Sequence, residues 1–138
     1  MKYLGLDLGK KTLGLAISDR TGLIASFYKS LRYDDEDKLI EEILSIIEKE
    51  KIEALVLGLP KNMDNSKGFR VEETLEFKQK LEKKSNKKVI LQDERLSTRM
   101  AETVLIDADL SRKKRKKVID GVSAVVILQA YLDRKANY

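Results

Sequence analysis

Any metal this chain holds has to be bound through oxygen. The chain contains no histidine and no cysteine, which removes the commonest general base, the commonest zinc ligand, thiolate nucleophiles and disulfides together. Among the acids, Asp7 stands out by its setting. Leu4, Leu6 and Leu8 recur with period two and mark one face of a strand, which assigns Tyr3, Gly5 and Asp7 to the other. Aspartate is depleted in strands, because an ionised carboxylate on a packed surface is desolvated and short of partners. A bound cation, a basic neighbour or a water-filled cleft would each compensate it. Two further acids bear on the choice. Glu94 follows the apolar run Val89-Ile90-Leu91, and Asp120 shares a helical stripe with Ala124, Ile127 and Tyr131, groups that favour burial. Acids from two strands and a helix make an oxygen-only nest suited to one or two ions of magnesium or manganese. Two such ions, roughly 4 Å apart, would clamp the attacking and leaving oxygens of an in-line phosphoryl transfer, with metal-activated water replacing the missing histidine.

The charge distribution points the same way. Twenty-eight Lys and Arg against 23 Asp and Glu give a formal charge of +5, which favours an anionic partner. Arg112, Lys113, Lys114, Arg115, Lys116 and Lys117 form one run that leads into Asp120. Such a run is usually a solvated face, yet cations near a helix N-terminus oppose its macrodipole, by a few tenths of a kcal/mol up to about 1 each when exposed. An anionic partner offsets that, so the run is read as a guide for phosphates. Lys10, Lys11, Lys61, Lys67 and Arg95 fall on the same predicted rim and extend the track. With five tyrosines, three phenylalanines and no tryptophan, no platform for stacking unpaired bases is evident, and phosphate contacts are expected to dominate.

These residues need a frame. Residues 2 to 9 read as a strand, Gly9-Lys10-Lys11 as a turn and Thr12 to Asp19 as the returning strand. After Arg20-Thr21-Gly22, Leu23 to about Leu31, with Phe27 and Tyr28, supplies a third antiparallel strand. Asp34, Asp35, Glu36 and Asp37 precede a helical stripe of Leu39, Ile40, Ile43, Leu44 and Ile47, whose N-terminus they favour. The run from Ala54 to Gly58 is wholly apolar, as in strands covered on both faces, and predicts a central parallel strand. A polar loop from Leu59 to Gly68 leads to a helix with Val71, Leu75 and Leu81 on its apolar side, and Ser85-Asn86 breaks it before the last strand. Ser97 is a candidate N-cap for a helix containing Ala101, Val104 and Leu105. Ser111 is one for a final helix whose core, Val118 to Leu132, is apolar nearly all round and is expected to pack deep.

The order of elements predicts an α/β fold, a mixed five-stranded sheet with an antiparallel three-strand meander, then parallel strands, and helices on both faces. A chain of this length suits one domain over residues 1–138. Sites on such sheets form beyond the carboxyl ends of parallel strands, where Asp7, Gly58 and Glu94 fall. No apolar run is long enough to cross a bilayer and no signal-peptide pattern opens the chain, so a cytoplasmic protein without a membrane partner is expected.

Four ordered blocks, Gly5-Leu-Asp-Leu-Gly-Lys-Lys-Thr-Leu-Gly-Leu-Ala-Ile-Ser-Asp19, Val56-Leu-Gly-Leu-Pro-Lys-Asn-Met-Asp-Asn-Ser-Lys-Gly68, Asp93-Glu-Arg-Leu-Ser-Thr98 and Asp120-Gly-Val-Ser-Ala-Val-Val-Ile-Leu-Gln-Ala-Tyr-Leu132, resemble the YqgF (RuvX) family over almost the whole chain. The resemblance implies an RNase H-like fold. It also implies a cytoplasmic nuclease linked to maturation of the 5′ end of the 16S ribosomal RNA precursor, in a family earlier assigned to Holliday junction resolution. It places Asp7, Glu94 and Asp120 on the family's acidic positions. The chain departs from the family pattern at Thr12, where Arg is usual, at Asn65, where Gly is, at Ser123, where Ala is common, and at Gln92, where an aromatic often precedes Asp-Glu. Asn tolerates a left-handed turn. Thr12 leaves out a basic side chain beside the first strand, a change expected to weaken a phosphate contact there.

Other assignments compete with these. Asp93 and Glu94 point to opposite sides of a strand, so only one should face Asp7. Asp120 could instead pair with a buried lysine or arginine. Asp19 and Asp64 read as turn acids, Asp64 lying in the rim loop within reach of substrate. The leading function is a metal-dependent endonuclease cutting structured RNA, the 16S rRNA precursor, in the setting of a ribosomal particle. A Holliday junction resolvase acting on branched DNA is the nearest alternative. It would need a dimer for paired cuts, and the sequence leaves monomer and weak homodimer open. A noncatalytic nucleic-acid-binding module is a third reading, motivated by the basic run and Thr12. A phosphotransferase of the actin and sugar-kinase type also begins with a Gly-x-Asp-x-Gly hairpin, but those enzymes close two lobes over ATP and 138 residues leave room for one.

Overall fold

The structure, a computed structural model, describes the backbone of residues 1–59, 68–93 and 112–136, and their side chains except 68–70, 93, 112–121 and 136. Alternating leucines form β1 (Tyr3–Leu8), which turns at Gly9-Lys10-Lys11 into β2 (Thr12–Ser18) and then β3 (Ala25–Arg32). α1 (Glu36–Glu50) begins where the acidic cluster predicted. Asp35 is its N-cap and accepts from the Asp37 N–H at 3.0 Å, while Lys51 closes it in the left-handed region, φ 56°. β4 (Ala54–Leu59), α2 (Gly68–Ser85), β5 (Lys88–Asp93) and α3 (Arg112–Ala136) follow. The predicted polar loop at 60–67 and the predicted helix capped by Ser97 lie outside the described residues.

The five strands order as β3-β2-β1-β4-β5. β1 is central, antiparallel to β2 and parallel to β4, and β5 is parallel to β4. The two faces of the sheet are filled differently. Leu4, Leu6, Leu13, Leu15, Leu55, Leu57 and Val89 meet α1 and α2 on one side. On the other side Tyr3, Ala16, Ala54 and Val56 meet Ala124, Ile127, Leu128 and Leu132 of α3. Among the described residues, large side chains thus face α1 and α2 and small ones face α3, which lets α3 come close.

Two sequence expectations need correction. In α2 the buried positions are Thr74, Phe77 and Leu81, while Leu75 is exposed. Steps of three and four residues align 74, 77 and 81, and a stripe traced through Leu75 turns away from the sheet. In α3 only one side is fully buried. Val122, Val125, Val126 and Ala130 are half-buried, whereas Ala124, Ile127, Leu128 and Leu132 face the sheet and are fully buried. Among the described residues no helix is long and apolar enough to cross a membrane.

Candidate active site at the carboxyl rim of the sheet

The parallel strands β1, β4 and β5 end side by side at Leu8, Leu59 and Asp93. Asp7 stands one residue inside that rim, half-buried. By strand alternation it shares the α3 side with Tyr3 and Gly5. Cross-strand register defines its neighbours. Asp7 pairs with Gly14, which pairs with Ser30. On the other flank Leu6 pairs with Leu57, which sets Asp7 level with Gly58, and Gly58 pairs with Gln92. The row therefore reads Ser30, Gly14, Asp7, Gly58, Gln92. The row beneath it on the same face reads Phe27, Ala16, Gly5, Val56, Ile90. The apolar lining stops one row below the carboxylate, and both strands beside Asp7 contribute a position without a side chain.

α3 crosses this face in a direction opposite to β1. Tyr3, at the start of β1, packs edge-on against Tyr131 with ring centroids 5.6 Å apart, and the Lys135 ammonium sits 4.7 Å above its ring. Two residues on, a Cβ placed on Gly5 would lie 2.8 Å from the Leu128 Cβ and 3.2 Å from the Ala124 carbonyl oxygen. Two strand residues advance about 6.6 Å and four helical residues about 6 Å, so the two elements keep pace. The turn of α3 that contains Asp120 follows Ala124 toward the level of Asp7. Arg112 to Lys117 belong to the two turns before it, at the start of the helix.

Lys10 and Lys11 are exposed in the turn directly beyond Asp7. That turn is tied down. The Gly9 N–H donates to the Thr12 carbonyl at 2.7 Å, the Tyr33 N–H to the Lys11 carbonyl at 2.9 Å, and the Tyr33 hydroxyl to the Gly9 carbonyl at 2.7 Å. Thr12, the departure that weakened the basic track, abuts Gly9. A Cβ there would come 2.9 Å from the Thr12 Oγ1. Tyr33 was not among the residues singled out in the sequence, and its contacts span 22 and 24 positions, beyond any local pattern. Asp19 is the turn acid it was expected to be, at the far end of β2. The Thr21 hydroxyl first, then the Ile24 and Leu23 amides, hold its carboxyl down at about 2.

Glu94, Lys61, Lys67, Arg95 and Asp64 lie outside the described residues, as do the side chains of Asp120, Asp93 and the run from Arg112 to Lys117. Among the described residues no three acids are grouped so that they could hold a metal ion. What the described rim does offer is oxygen. In the Asp7 row, two strands away, the carboxamide oxygen of Gln92 is buried and has no hydrogen-bond partner among the described residues. A carboxylate and an unpaired amide oxygen in one row, in a chain with neither imidazole nor thiol, fit a hard divalent cation and no softer one.

Residues 1–134 match the RuvX family, described as Holliday junction resolvase. A Staphylococcus saprophyticus protein named "Putative pre-16S rRNA nuclease" is 50% identical over 135 residues, covering 96% of this chain and 95% of its own. Its Staphylococcus haemolyticus namesake is 51% identical with the same coverage. Among solved structures, Thermus thermophilus RuvC in complex with Holliday junction substrate aligns with a TM-score of 0.62 at 13% identity, covering 99% of this chain and 96% of that one. The fowlpox virus resolvase with its Holliday junction DNA aligns at 0.57 and 14%, covering 98% and 99%. The structural likeness establishes the RNase H-like fold. The match over nearly the full length, with half the residues identical to the staphylococcal proteins, establishes kinship: this chain belongs to the RuvX family of nucleases.

Proposed function

We propose that this protein is a metal-dependent endonuclease that hydrolyses a phosphodiester in structured RNA, the 5′ region of the 16S precursor, with Asp7, Glu94 and Asp120 holding one or two magnesium or manganese ions. The observation that carries the proposal is the Asp7 row. A ligand reaching this carboxylate meets glycine on both flanking strands, Gly14 and Gly58, where the next row inward on that face, Phe27, Ala16, Gly5, Val56 and Ile90, is apolar. Between the adjacent acids Asp93 and Glu94, the proposal takes Glu94, the position that the family resemblance matches to an acidic site. The level of the Asp120 turn on α3 supports the third acid. When bound, such ions supply a water acidified toward neutral pH and a counter-charge for the leaving oxygen.

The rest is done by the chain. Lys10 and Lys11, on their braced turn, flank the acids on one side, and the run from Arg112 to Lys117 begins the helix on the other. With Lys61, Lys67 and Arg95 they neutralise phosphates and set the polymer across the rim. RNA is favoured as substrate by the name of the relatives at about half identity. Branched DNA is the second reading, favoured by the description of the family.

The test is cleavage of matched RNA precursor and four-way DNA junction by wild type, Asp7→Asn, Glu94→Gln and Asp120→Asn, in magnesium, manganese and EDTA. Wild type should cut RNA only with metal, and each variant should lose at least about 100-fold. Metal-dependent cleavage that survives Asp7→Asn or Asp120→Asn would refute the assignment. Paired cuts in the junction by a dimer would move the substrate to DNA. Salt-sensitive binding without cleavage would leave a noncatalytic module.

A further inference from the structure

We infer that Gln92 is a positioning residue for the water shell of the cation at Asp7, its carboxamide oxygen accepting a hydrogen bond from a water on the ion. This rests on the metal reading above. The starting observation is the buried oxygen without a partner. A buried acceptor left unpaired is unfavourable and rare in native proteins, so the working state of the protein supplies it with a donor. The row itself has none within reach. Asp7 is an acceptor when ionised, Gly14 and Gly58 have no side chain, and Ser30 lies beyond β1 and β2 at the edge of the sheet. With no donor among the described residues of the row, we assign the donor to the ligand, and a phosphate oxygen cannot be that donor.

The spacing separates direct from water-mediated contact. Asp7 and Gln92 are two strands apart, about 9.6 Å between backbones at ordinary strand spacing. An ion ligated by both oxygens spans only about 4.2 Å from one to the other, at about 2.1 Å per bond. Inserting one water adds a hydrogen bond of about 2.8 Å and brings the span to about 7 Å. The remaining 2 to 3 Å is a modest lean of the longer glutamine side chain across Gly58. Magnesium, which dehydrates reluctantly and keeps several waters, suits that arrangement. In the sequence Gln92 is simply the amide that stands before Asp93-Glu94. The sheet register gives it a partner position.

The experiment is thermal unfolding of the full chain, without nucleic acid, for wild type, Gln92→Met and Gln92→Glu, in EDTA and across a magnesium titration. Gln92→Met removes the unpaired acceptor at similar volume. In EDTA it should unfold about 2 to 5 °C higher than wild type, while its magnesium midpoint weakens roughly 10-fold or more. Gln92→Glu restores an acceptor and adds charge, and should regain or exceed the wild-type midpoint. A purely structural glutamine moves the first quantity without the second. An unchanged magnesium midpoint in Gln92→Met overturns this inference alone, as does a Gln92→Met protein less stable than wild type in EDTA, which would place the donor within the chain. A wild type that shows no magnesium shift at all overturns the metal reading and this inference together.

Discussion

Replacing Gly5 by alanine tests whether the β1 to α3 contact sets the geometry of the site. The added Cβ would stand 2.8 Å from the Leu128 Cβ and 3.2 Å from the Ala124 carbonyl oxygen. Carbon atoms in ordinary contact lie about 3.5 to 4.0 Å apart, so the shortfall is about 1 Å. Neither obstacle can rotate away, since one is a Cβ and the other backbone, and α3 has to shift as a body. Overpacking of this kind costs about 1 to 3 kcal/mol, offset by up to about 1 kcal/mol from the stiffer unfolded chain. At mid-range, about 2 kcal/mol less about 0.7, the expected net loss is about 1.3 kcal/mol, read by denaturant unfolding as a lower midpoint at unchanged slope. Because the same shift moves the Asp120 turn relative to Asp7, cleavage measured where both proteins are folded should fall about 100-fold, the usual consequence of a 1 Å misplacement. A Gly5→Ala protein as stable as wild type would show that α3 is not seated by this contact. Lost stability with full activity would show that the helix does not align the acids, and would take Asp120 out of the site.

The other predictions concern the supports. Tyr33→Phe deletes the 2.7 Å hydrogen bond to the Gly9 carbonyl and should cost about 0.5 to 1.5 kcal/mol in denaturant unfolding, with weaker substrate binding through the loosened Lys10-Lys11 turn. Unchanged stability would mean that the hydroxyl bond is not needed to hold the turn. Lys10→Ala and Lys11→Ala should each lower the slope of log affinity against log salt by about 0.7 to 0.9 if each contacts one phosphate, and a slope that stays put removes them from the interface. Asp19 is a pH device. Its folded value is depressed from 3.8 to about 2, so its contribution is fully present above the unfolded value and is lost as pH falls through the folded one. Acid unfolding followed down to pH 2 should therefore be steeper in wild type than in Asp19→Asn, and superimposable curves would contradict it.

Much of this molecule can be read along the chain, and the limits of that reading have a physical cause. Period-two leucines located β1, the acids at 34–37 located the start of α1, and the wholly apolar run at 54–58 located a strand covered on both faces. All three are local patterns, and the structure has each of them. Phe77 was missed as the anchor of α2 because Leu75 gives an equally apolar stripe in sequence, and only the neighbouring strands decide which side is inner. Asp7 was legible as an anomaly. That it stands between Gly14 and Gly58, with Gln92 beyond, was not. Register between strands some fifty and eighty-five residues apart depends on the whole sheet, and no window along the chain contains it.

Stability and function are divided along the length of α3. Its C-terminal part is fastened to the sheet. Gln129 accepts from the Ala25 N–H and donates to the Leu23 carbonyl, both at 2.8 Å, Leu132 is buried, and Tyr131 and Lys135 close on Tyr3. Its first turn contains no acid, and opens on Arg112, Lys113, Lys114 and Arg115, charges that each oppose the macrodipole by a few tenths of a kcal/mol up to about 1. A helix selected only to be stable would carry acids there. The free protein therefore holds its least favourable electrostatics beside the rim where Asp7 lies, and a polyanion laid across that rim relieves them. Under the proposed function, the phosphates that offset these charges lie along the same helix that contains Asp120, two turns further on.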